Sequence, residues 1–181
     1  MTNNKNTRAF PLKQRMYGLV PYNISPIQQG IQFGHAVVDY SLTQTQQDPT
    51  DTELSPYNQW AHNDKTFIIL NGGTTNTQTS RYGTLNKHLE TLFDMGIVIA
   101  PFYEPDLGDQ LTAVVFLVDE RVYDYDQYPD FAGIDPTSKL SEGSSYLLHN
   151  LRIDNYYNEL FGDEFKEILA MREFLSQFRL A

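Results

Sequence analysis

One histidine lies where an α/β protein commonly places its chemistry. It belongs to the run Gln32-Phe33-Gly34-His35-Ala36, on a predicted helix that begins a few residues after the first predicted strand. Strand-to-helix junctions at the edge of a sheet are frequent ligand-binding positions. A neutral imidazole can take a proton from water near neutral pH, especially where a carboxylate fixes its tautomer. His35 is therefore the first candidate for a general base.

Three carboxylates are candidates to orient this histidine. Asp39 follows His35 by one helical turn, so the two side chains can touch. Glu104 and Asp106 lie in a turn between two predicted strands and could reach the histidine across the end of the sheet. The sequence leaves the choice among them open. The alternative interpretation is a partly buried histidine that is hydrogen-bonded to the backbone.

A second polar segment follows the second predicted strand. The run Asn71-Gly72-Gly73-Thr74-Thr75 is a candidate anion-binding loop, because successive backbone N–H groups can form a concavity for a phosphate. It lacks the Gly-Lys-Ser/Thr sequence of nucleotide hydrolases, so an ordinary turn is the alternative. Asn71 is a candidate for substrate binding, and Arg81 or Lys65 could supply a cation from a loop.

Composition excludes several other kinds of site. The 181 residues include no cysteine, which removes disulfides, thiol nucleophiles and cysteine-based zinc sites. The histidines and carboxylates show no metal-ligand spacing, so we expect neither a metal nor a cofactor. No apolar run approaches the roughly 20 residues of a membrane helix, and no signal-peptide core follows the N-terminus. These features predict a cytoplasmic protein without a membrane partner.

The net charge of −10 constrains the partners. An acidic surface repels a phosphate backbone at long range, so nucleic-acid binding requires the few basic residues to cluster in space. Four of them precede the first predicted strand, at Lys5, Arg8, Lys13 and Arg15. We interpret residues 1–15 as a solvated basic tail.

The elements that must position these residues are predicted from the spacing of apolar side chains. Short apolar runs predict four strands, at residues 16–22, 66–70, 97–102 and 112–118. Two helices separate the first three strands, and a short acidic turn joins the last two. This order indicates an α/β fold, a three-layer sandwich on a mixed sheet of about four strands, with a C-terminal helical extension.

The first helix carries an aliphatic stripe. Ser25-Pro26 is typical of a helix start, with proline at the first helical position. At 3.6 residues per turn, four aliphatic side chains fall within an arc of about 60°: Ile27, Ile31, Val38 and Leu42. We predict that this stripe faces the core, with His35 at its boundary beside a polar ribbon.

We divide the chain into a tail at residues 1–15, an α/β domain at 16–122, and a loop and helical extension at 123–181 that packs on the same domain. The extension has an apolar helical face, formed by Phe165, Ile168, Leu169, Phe174, Leu175 and Phe178. This face either packs on the sheet or contacts a partner. A homodimer through the sheet or through the C-terminal helix is compatible with this organisation.

Three segments carry a family resemblance. The first is the strand at 17–22 that leads into the helix with Gln32-x-Gly34-His35-Ala36. The second is the strand at 67–70, followed by a helix that ends at Gly96. The third is the strand near Ile99, the turn Glu104-Pro105-Asp106-Leu107, and Thr112-Ala113 at the start of the last strand. Over residues 16–120 the chain resembles the type 2 peptidyl-tRNA hydrolase family, in a divergent form similar to proteins of large tailed bacteriophages.

The resemblance implies hydrolysis of the ester that joins a peptide to the 3′ ribose of tRNA. It matches His35 to the family's functional histidine and Thr112 to a threonine that opens the last strand. The family's aspartate falls at Glu104 or Asp106. The catalytic set that the resemblance implies is His35, Asp106 and Thr112. The substrate-binding candidates are Gln28, Gln32, Asp39, Glu104, Asn71 and Arg81.

The chain also departs from the family. The lysine that the family carries seven residues before the histidine is Gln28 here, and a different turn occupies residues 104–110. A cation beside a developing negative charge supplies several kcal/mol, so its loss costs on the order of 100-fold in rate. Whether the chain is an enzyme is therefore left open. The alternative to a hydrolase that binds a tRNA 3′ end is a non-catalytic, phage-type binder that sequesters a small nucleotide or a host factor.

Overall fold

The computed structural model describes residues 11–45, 55–76, 83–132 and 142–181. They form two compact units. The first unit comprises the described residues up to Glu120 together with Phe178–Ala181, and the second is Arg121–Gln177. Arg81, one of the substrate-binding candidates, lies outside the described residues, as do Lys5 and Arg8 of the basic tail.

A mixed four-stranded sheet is the centre of the first unit. Its strands are β1 (Gln14–Val20), β2 (Thr66–Asn71), β3 (Ile99–Glu104) and β4 (Gln110–Asp119). The strand order is β2-β1-β4-β3, with β1 parallel to β2 and β4 antiparallel to both of its neighbours. The two central strands are buried along nearly their whole length, as expected for strands covered on both faces.

Helices cover both faces of this sheet. The long helix α1 (Pro26–Thr45) packs on β1, β3 and β4, and the short helix α2 (Pro56–Gln59) follows it. Helix α3 (Thr84–Asp94) lies on the other face, where Leu85 and Leu19 close around Gly72 so tightly that a Cβ there would lie 2.7 Å from Leu85. It ends before Gly96, whose φ is +71°. The predicted α/β sandwich is confirmed.

The predicted orientation of α1 is wrong. The aliphatic stripe faces solvent, with Ile27 77% exposed, Ile31 49%, Val38 58% and Leu42 54%. The buried side of the helix is the opposite one, formed by Gln32, Phe33, Ala36 and Tyr40. Burial, and then the neighbouring Tyr57 hydroxyl, raise the pKa of Tyr40 to about 12, as expected for a phenol in the core.

The fit of side chains to the sheet explains this orientation. Ala36 is fully buried in a cluster with Ala100 and Ala113, small residues that let the helix approach the strands closely. A Cβ at Gly18 would lie 2.3 Å from the Phe33 ring, so the glycine makes room for that ring. Aromatic side chains also bury more apolar area than aliphatic ones. Both sides of α1 are apolar, and the small residues decide which side is buried.

The end of the chain pairs with the outer edge of β2. Leu180 forms an antiparallel bridge with Leu70, and the Ala181 N–H donates to the Ile69 carbonyl at 3.0 Å. Just before it, the Phe178 ring packs edge-on against His88 of α3, with ring centroids 4.8 Å apart. Pairing of this kind protects a strand edge from other chains.

A buried arginine organises the second unit, which contains α4 (Glu120–Tyr123), α5 (Glu142–Phe161) and α6 (Phe165–Ser176). The guanidinium of Arg172 donates to the Arg121 and Tyr128 carbonyls and to Asp130. It also lies over the rings of Tyr125 and Phe161, at 4.4 and 5.0 Å from their centroids. A planar guanidinium suits this combination of donation and stacking, and it joins α6 to residues 121–130.

No helix in the described part of the chain is both long enough and apolar enough to cross a bilayer.

The partly buried histidine of α3 predicts a pH dependence of stability. Burial lowers the pKa of His88 below its ordinary value of 6.5, so the folded chain keeps it neutral where the unfolded chain binds a proton. This contribution is fully present above pH 6.5 and is lost as the pH falls from there through the lowered pKa of the folded state. We expect His88→Gln to flatten this part of the curve in urea unfolding.

The control for this measurement is His62→Gln, which removes an imidazole at an exposed position. A pH dependence that stays the same in His88→Gln would contradict the assignment to His88.

Candidate functional site

The candidate residues of α1, β3 and β4 meet where β3 ends and β4 begins. The pairing of β3 with β4 shifts between Phe102↔Ala113 and Tyr103↔Leu111, so Thr112 is the extra residue of a β-bulge. A bulge places two consecutive side chains on one side of the strand and can redirect one of them. Thr112 is thereby turned toward α1, although it is completely buried in the sheet.

Three side chains form a continuous hydrogen-bonded group, which we call the polar triad: Thr112, Gln32 and Glu104. Glu104 can only accept, so Gln32 presents Nε2 to it, at 2.5 Å from Oε2. The amide oxygen of Gln32 then accepts from the Thr112 hydroxyl at 3.0 Å. The hydroxyl also lies 3.3 Å from the Phe102 carbonyl oxygen. The triad joins α1, β3 and β4 through two buried side chains, Gln32 and Thr112, and one partly buried side chain, Glu104.

The acidic turn supplies Glu104 rather than Asp106 to this group. Glu104 caps the single 3-10 turn Pro105–Leu107, where its Oε1 accepts from the Asp106 N–H at 3.2 Å. Asp106 itself is exposed and contributes a backbone donor. Its side chain forms no hydrogen bond or ion pair with the triad among the described residues.

His35 lies three residues after Gln32 on α1, and its side chain is exposed. Its ring stands edge-on to Phe102, with centroids 4.7 Å apart and an interplanar angle of 76°. Among the described residues, no carboxylate forms a hydrogen bond or ion pair with the imidazole, including Asp39 one turn later. Phe102 therefore orients the ring, and its nitrogen atoms are left for solvent or a ligand.

Gln28 has a structural partner. Ser25 is the residue before the proline-started α1, and Gln28 lies three residues after it. The Gln28 N–H donates to Ser25 Oγ at 3.3 Å, and the Ser25 N–H donates to Gln28 Oε1 at 3.1 Å. This reciprocal pair is a capping box, and the Ser-x-x-Gln spacing is its signal in the sequence.

The loop after β2 is an ordinary turn. The Gly72 N–H donates to the Val20 carbonyl, and the Gly73 N–H to Oδ1 of Asn71 at 2.9 Å. The Thr74 and Thr75 N–H groups donate to the side chains of Thr84 and Asn23. Since each of these donors already has an acceptor, the loop does not form the concavity that an anion requires. Asn71 stabilises this turn at the far edge of the sheet from the triad.

The site has no positive partner among the described residues. Every hydrogen bond and ring contact of the triad and of His35 is made with neutral or acidic groups. Within the same part of the chain, no group of three or more histidine, aspartate or glutamate side chains could hold a metal ion. The site therefore offers an imidazole, an amide, a hydroxyl and a carboxylate.

An apolar cleft lies on the opposite side of β3. Its volume is about 450 Å³, and it is lined by Leu89, Glu90, Phe93, Asp94, Ile99 and Pro101. Ile99 and Pro101 alternate along β3 with Ala100 and Phe102, which pack toward α1. The sheet therefore separates the cleft from His35. None of the site residues that we predict from the sequence lines the cleft. Phe93, which lines the cleft from α3, is 73% exposed.

No protein-family model matches this chain. No curated protein matches it either.

The hydrogen bond inside the triad predicts a measurable coupling. Thr112→Val keeps the volume of the side chain but removes the donor to a buried amide oxygen, and we expect a loss of about 1–3 kcal/mol. Adding Gln32→Met to the Thr112→Val variant removes the amide oxygen that the first substitution leaves without a donor. The loss in the double variant should therefore be smaller than the sum of the two single losses.

Urea unfolding of the four chains measures this double-mutant cycle. Thr91→Val is the control, because that exposed hydroxyl donates only to the Lys87 carbonyl of its own helix. Additive losses from Thr112→Val and Gln32→Met would show that the triad is not energetically coupled.

Proposed function

We propose that this chain hydrolyses the ester between a peptide and the 3′ ribose of tRNA, with His35 as the base. The observation that carries the proposal is an exposed imidazole one turn along α1 from the polar triad, of which Gln32 and Thr112 are buried. The three segments that carry the family resemblance, β1–α1, β2–α3 and the β3–β4 hairpin, fold onto one sheet. Such an activity belongs in the cytoplasm, in host cytoplasm for a phage protein.

The roles follow from burial. His35 is exposed, so water and substrate can reach its ring nitrogen, which takes the proton from the attacking water. Gln32 is also buried, and it acts as a positioning residue that donates an Nε2–H to the Glu104 carboxylate. Thr112 is fully buried and acts as a positioning residue, because its hydroxyl holds the Gln32 amide oxygen. We place the family's acidic role at Glu104.

Removal of the imidazole tests the base. General-base catalysis contributes about 10²- to 10⁴-fold, so His35→Ala should lower kcat by at least about 100-fold. The substrate is an N-acetylated aminoacyl-tRNA, and release of the N-acetyl amino acid is followed over time. His62→Ala, at an exposed histidine outside the site, should keep the wild-type rate. Absence of hydrolysis by the unaltered chain at high concentration would overturn the proposal.

The missing cation predicts a gain of activity. In Gln28→Lys an ammonium returns to the position where the family carries one, and we expect kcat/KM to rise on the order of 10- to 100-fold. The substitution also removes one hydrogen bond of the capping box, at a cost of about 1 kcal/mol or less in stability.

Gln28→Met is the matched control for this change, because it removes the same hydrogen bond without adding charge. Equal rates in the lysine and methionine variants would mean that charge at this position is not limiting.

The second candidate function is a non-catalytic binder that holds a nucleotide-like ligand beside His35. It is favoured by the absence of lysine and arginine contacts at the site among the described residues, and by the net charge of −10. Calorimetric titration with a CCA trinucleotide and with AMP separates the two. Binding without turnover of peptidyl-tRNA supports the binder, and no heat with either ligand excludes it for nucleotides of this kind.

A further inference from the structure

The outer face of α1 is an apolar strip on the surface of the first unit. Ile27, Ile31, Val38 and Leu42 are each about half exposed or more. They lie within an arc of about 60° and extend over about 22 Å of helix, at 1.5 Å per residue. We call these four side chains the outer strip. Single exposed apolar residues are normal on a surface, but an aligned set marks an interaction site.

The outer strip is also free of charge. Apart from His35, the ionisable residues of α1 are Asp39 and the buried Tyr40, and both lie outside the arc. Ser41, at the margin of the arc, donates its hydroxyl to the Val37 carbonyl of its own helix at 2.8 Å. A partner on this face therefore meets aliphatic carbon without having to desolvate an ion.

The spacing of the outer strip is symmetric. Ile27 and Leu42 are equally far in sequence from the Gly34–His35 peptide, and so are Ile31 and Val38. A two-fold axis that passes between two copies at the level of that peptide, perpendicular to both helices, places Ile27 of one copy against Leu42 of another. It also places Ile31 against Val38. This is the self-complementarity that an isologous interface requires, in which one patch contacts its own copy.

The middle of the strip allows close approach. Gly34 lies about 20° outside the arc, near the centre of the helix, and a Cβ built there would meet no atom within 4 Å. The distance between packed helices depends on the side chains at the crossing point, and glycine there permits the shortest. The aliphatic pairs on either side can therefore interdigitate.

We propose that α1 pairs antiparallel with α1 of a second copy of this chain, across a two-fold axis at the Gly34–His35 peptide. A second copy is favoured over an unrelated partner by the symmetric spacing. The net charge of −10 on each copy opposes association at long range, which weakens the pair and leaves the uncharged outer strip as the face on which two copies can meet. The inference is independent of the proposed hydrolase activity.

The area of the face sets the strength of the pair. A helix of 20 residues is about 30 Å long and about 10 Å across, so each copy buries about 300 Å². A standard stable interface buries about 800 Å² on each partner, which places this pair among weak, reversible contacts. His35 lies just outside the arc, so the two imidazoles are at the same rim of the pair and remain open.

Sedimentation equilibrium of the full chain tests the proposal, over a range from about 10 μM to about 1 mM. We expect a reversible monomer–dimer equilibrium. Ile31→Glu and Val38→Lys should each weaken dimerisation at least about tenfold, because each buries an unpaired charge. The double variant I31E/V38K should regain most of the affinity, because the antiparallel register sets the new carboxylate of one copy against the new ammonium of the other.

Val98→Lys is the matched control, since Val98 is 54% exposed and Val38 58%. This control should dimerise like the unaltered chain. Circular dichroism confirms that each variant is folded, and Leu42→Lys, near the end of α1, replaces a variant that is not.

Three outcomes overturn the proposal. The first is a monomer at every concentration, which would leave the outer strip to a different protein. The second is a dimer that Ile31→Glu and Val38→Lys do not weaken, which would place the interface elsewhere, such as at the sheet edge or the C-terminal helix. The third is a double variant that remains as weak as the single ones, which would exclude the antiparallel register.

Discussion

The rotation of α1 about its own axis is the constraint on which the rest of this structure depends. The helix has two apolar sides, and the sheet accepts the one that carries Ala36 and Phe33 because Gly18 and Ala113 leave room for it. The same rotation buries Gln32, whose amide needs partners in a dry interface. The bulge at Thr112 and the cap at Glu104 supply them. The steric fit of α1 to the sheet and the hydrogen bonds of the buried Gln32 amide therefore favour the same orientation of the helix.

Two surfaces follow from that single choice. On one flank of α1, His35 emerges beside Phe102 and next to the polar triad, where its ring is supported from one side and open on the other. On the side of α1 that faces away from the sheet, the aliphatic side chains that remain outside the core form the outer strip. Both surfaces result from the same rotation of α1. Each consists of what remains when the Ala36 side of the helix is buried.

Much of the fold could be predicted because its signals are local. Apolar runs mark the central strands β1 and β4, and Gly96 marks the end of α3 through its positive φ. The orientation of α1 could not be predicted, because periodicity identifies an apolar side but does not decide between two of them. That decision depends on contacts such as Gly18 with Phe33, between residues of different elements. Similarly, Phe93 has the spacing of a core residue but lines an open cleft.

The site shows the same division between local and non-local information. The motif makes His35 a candidate without any knowledge of the fold, and the Ser-x-x-Gln spacing indicates the capping box of Gln28. The choice of Glu104 over Asp106 could not be predicted, because two carboxylates two residues apart are equally good candidates until the turn directs one of them inward.

The bulge also depends on non-local information, since it exists only in the register of β3 against β4. In a regular strand Thr112 would face α3, together with every second residue of β4. A side chain that reaches the first helix only through such an irregularity is poorly explained by sheet stability alone, because a regular ladder would satisfy the strands equally well. The irregularity instead gives the buried amide oxygen of Gln32 a hydrogen-bond donor, at a residue one turn before His35 on α1.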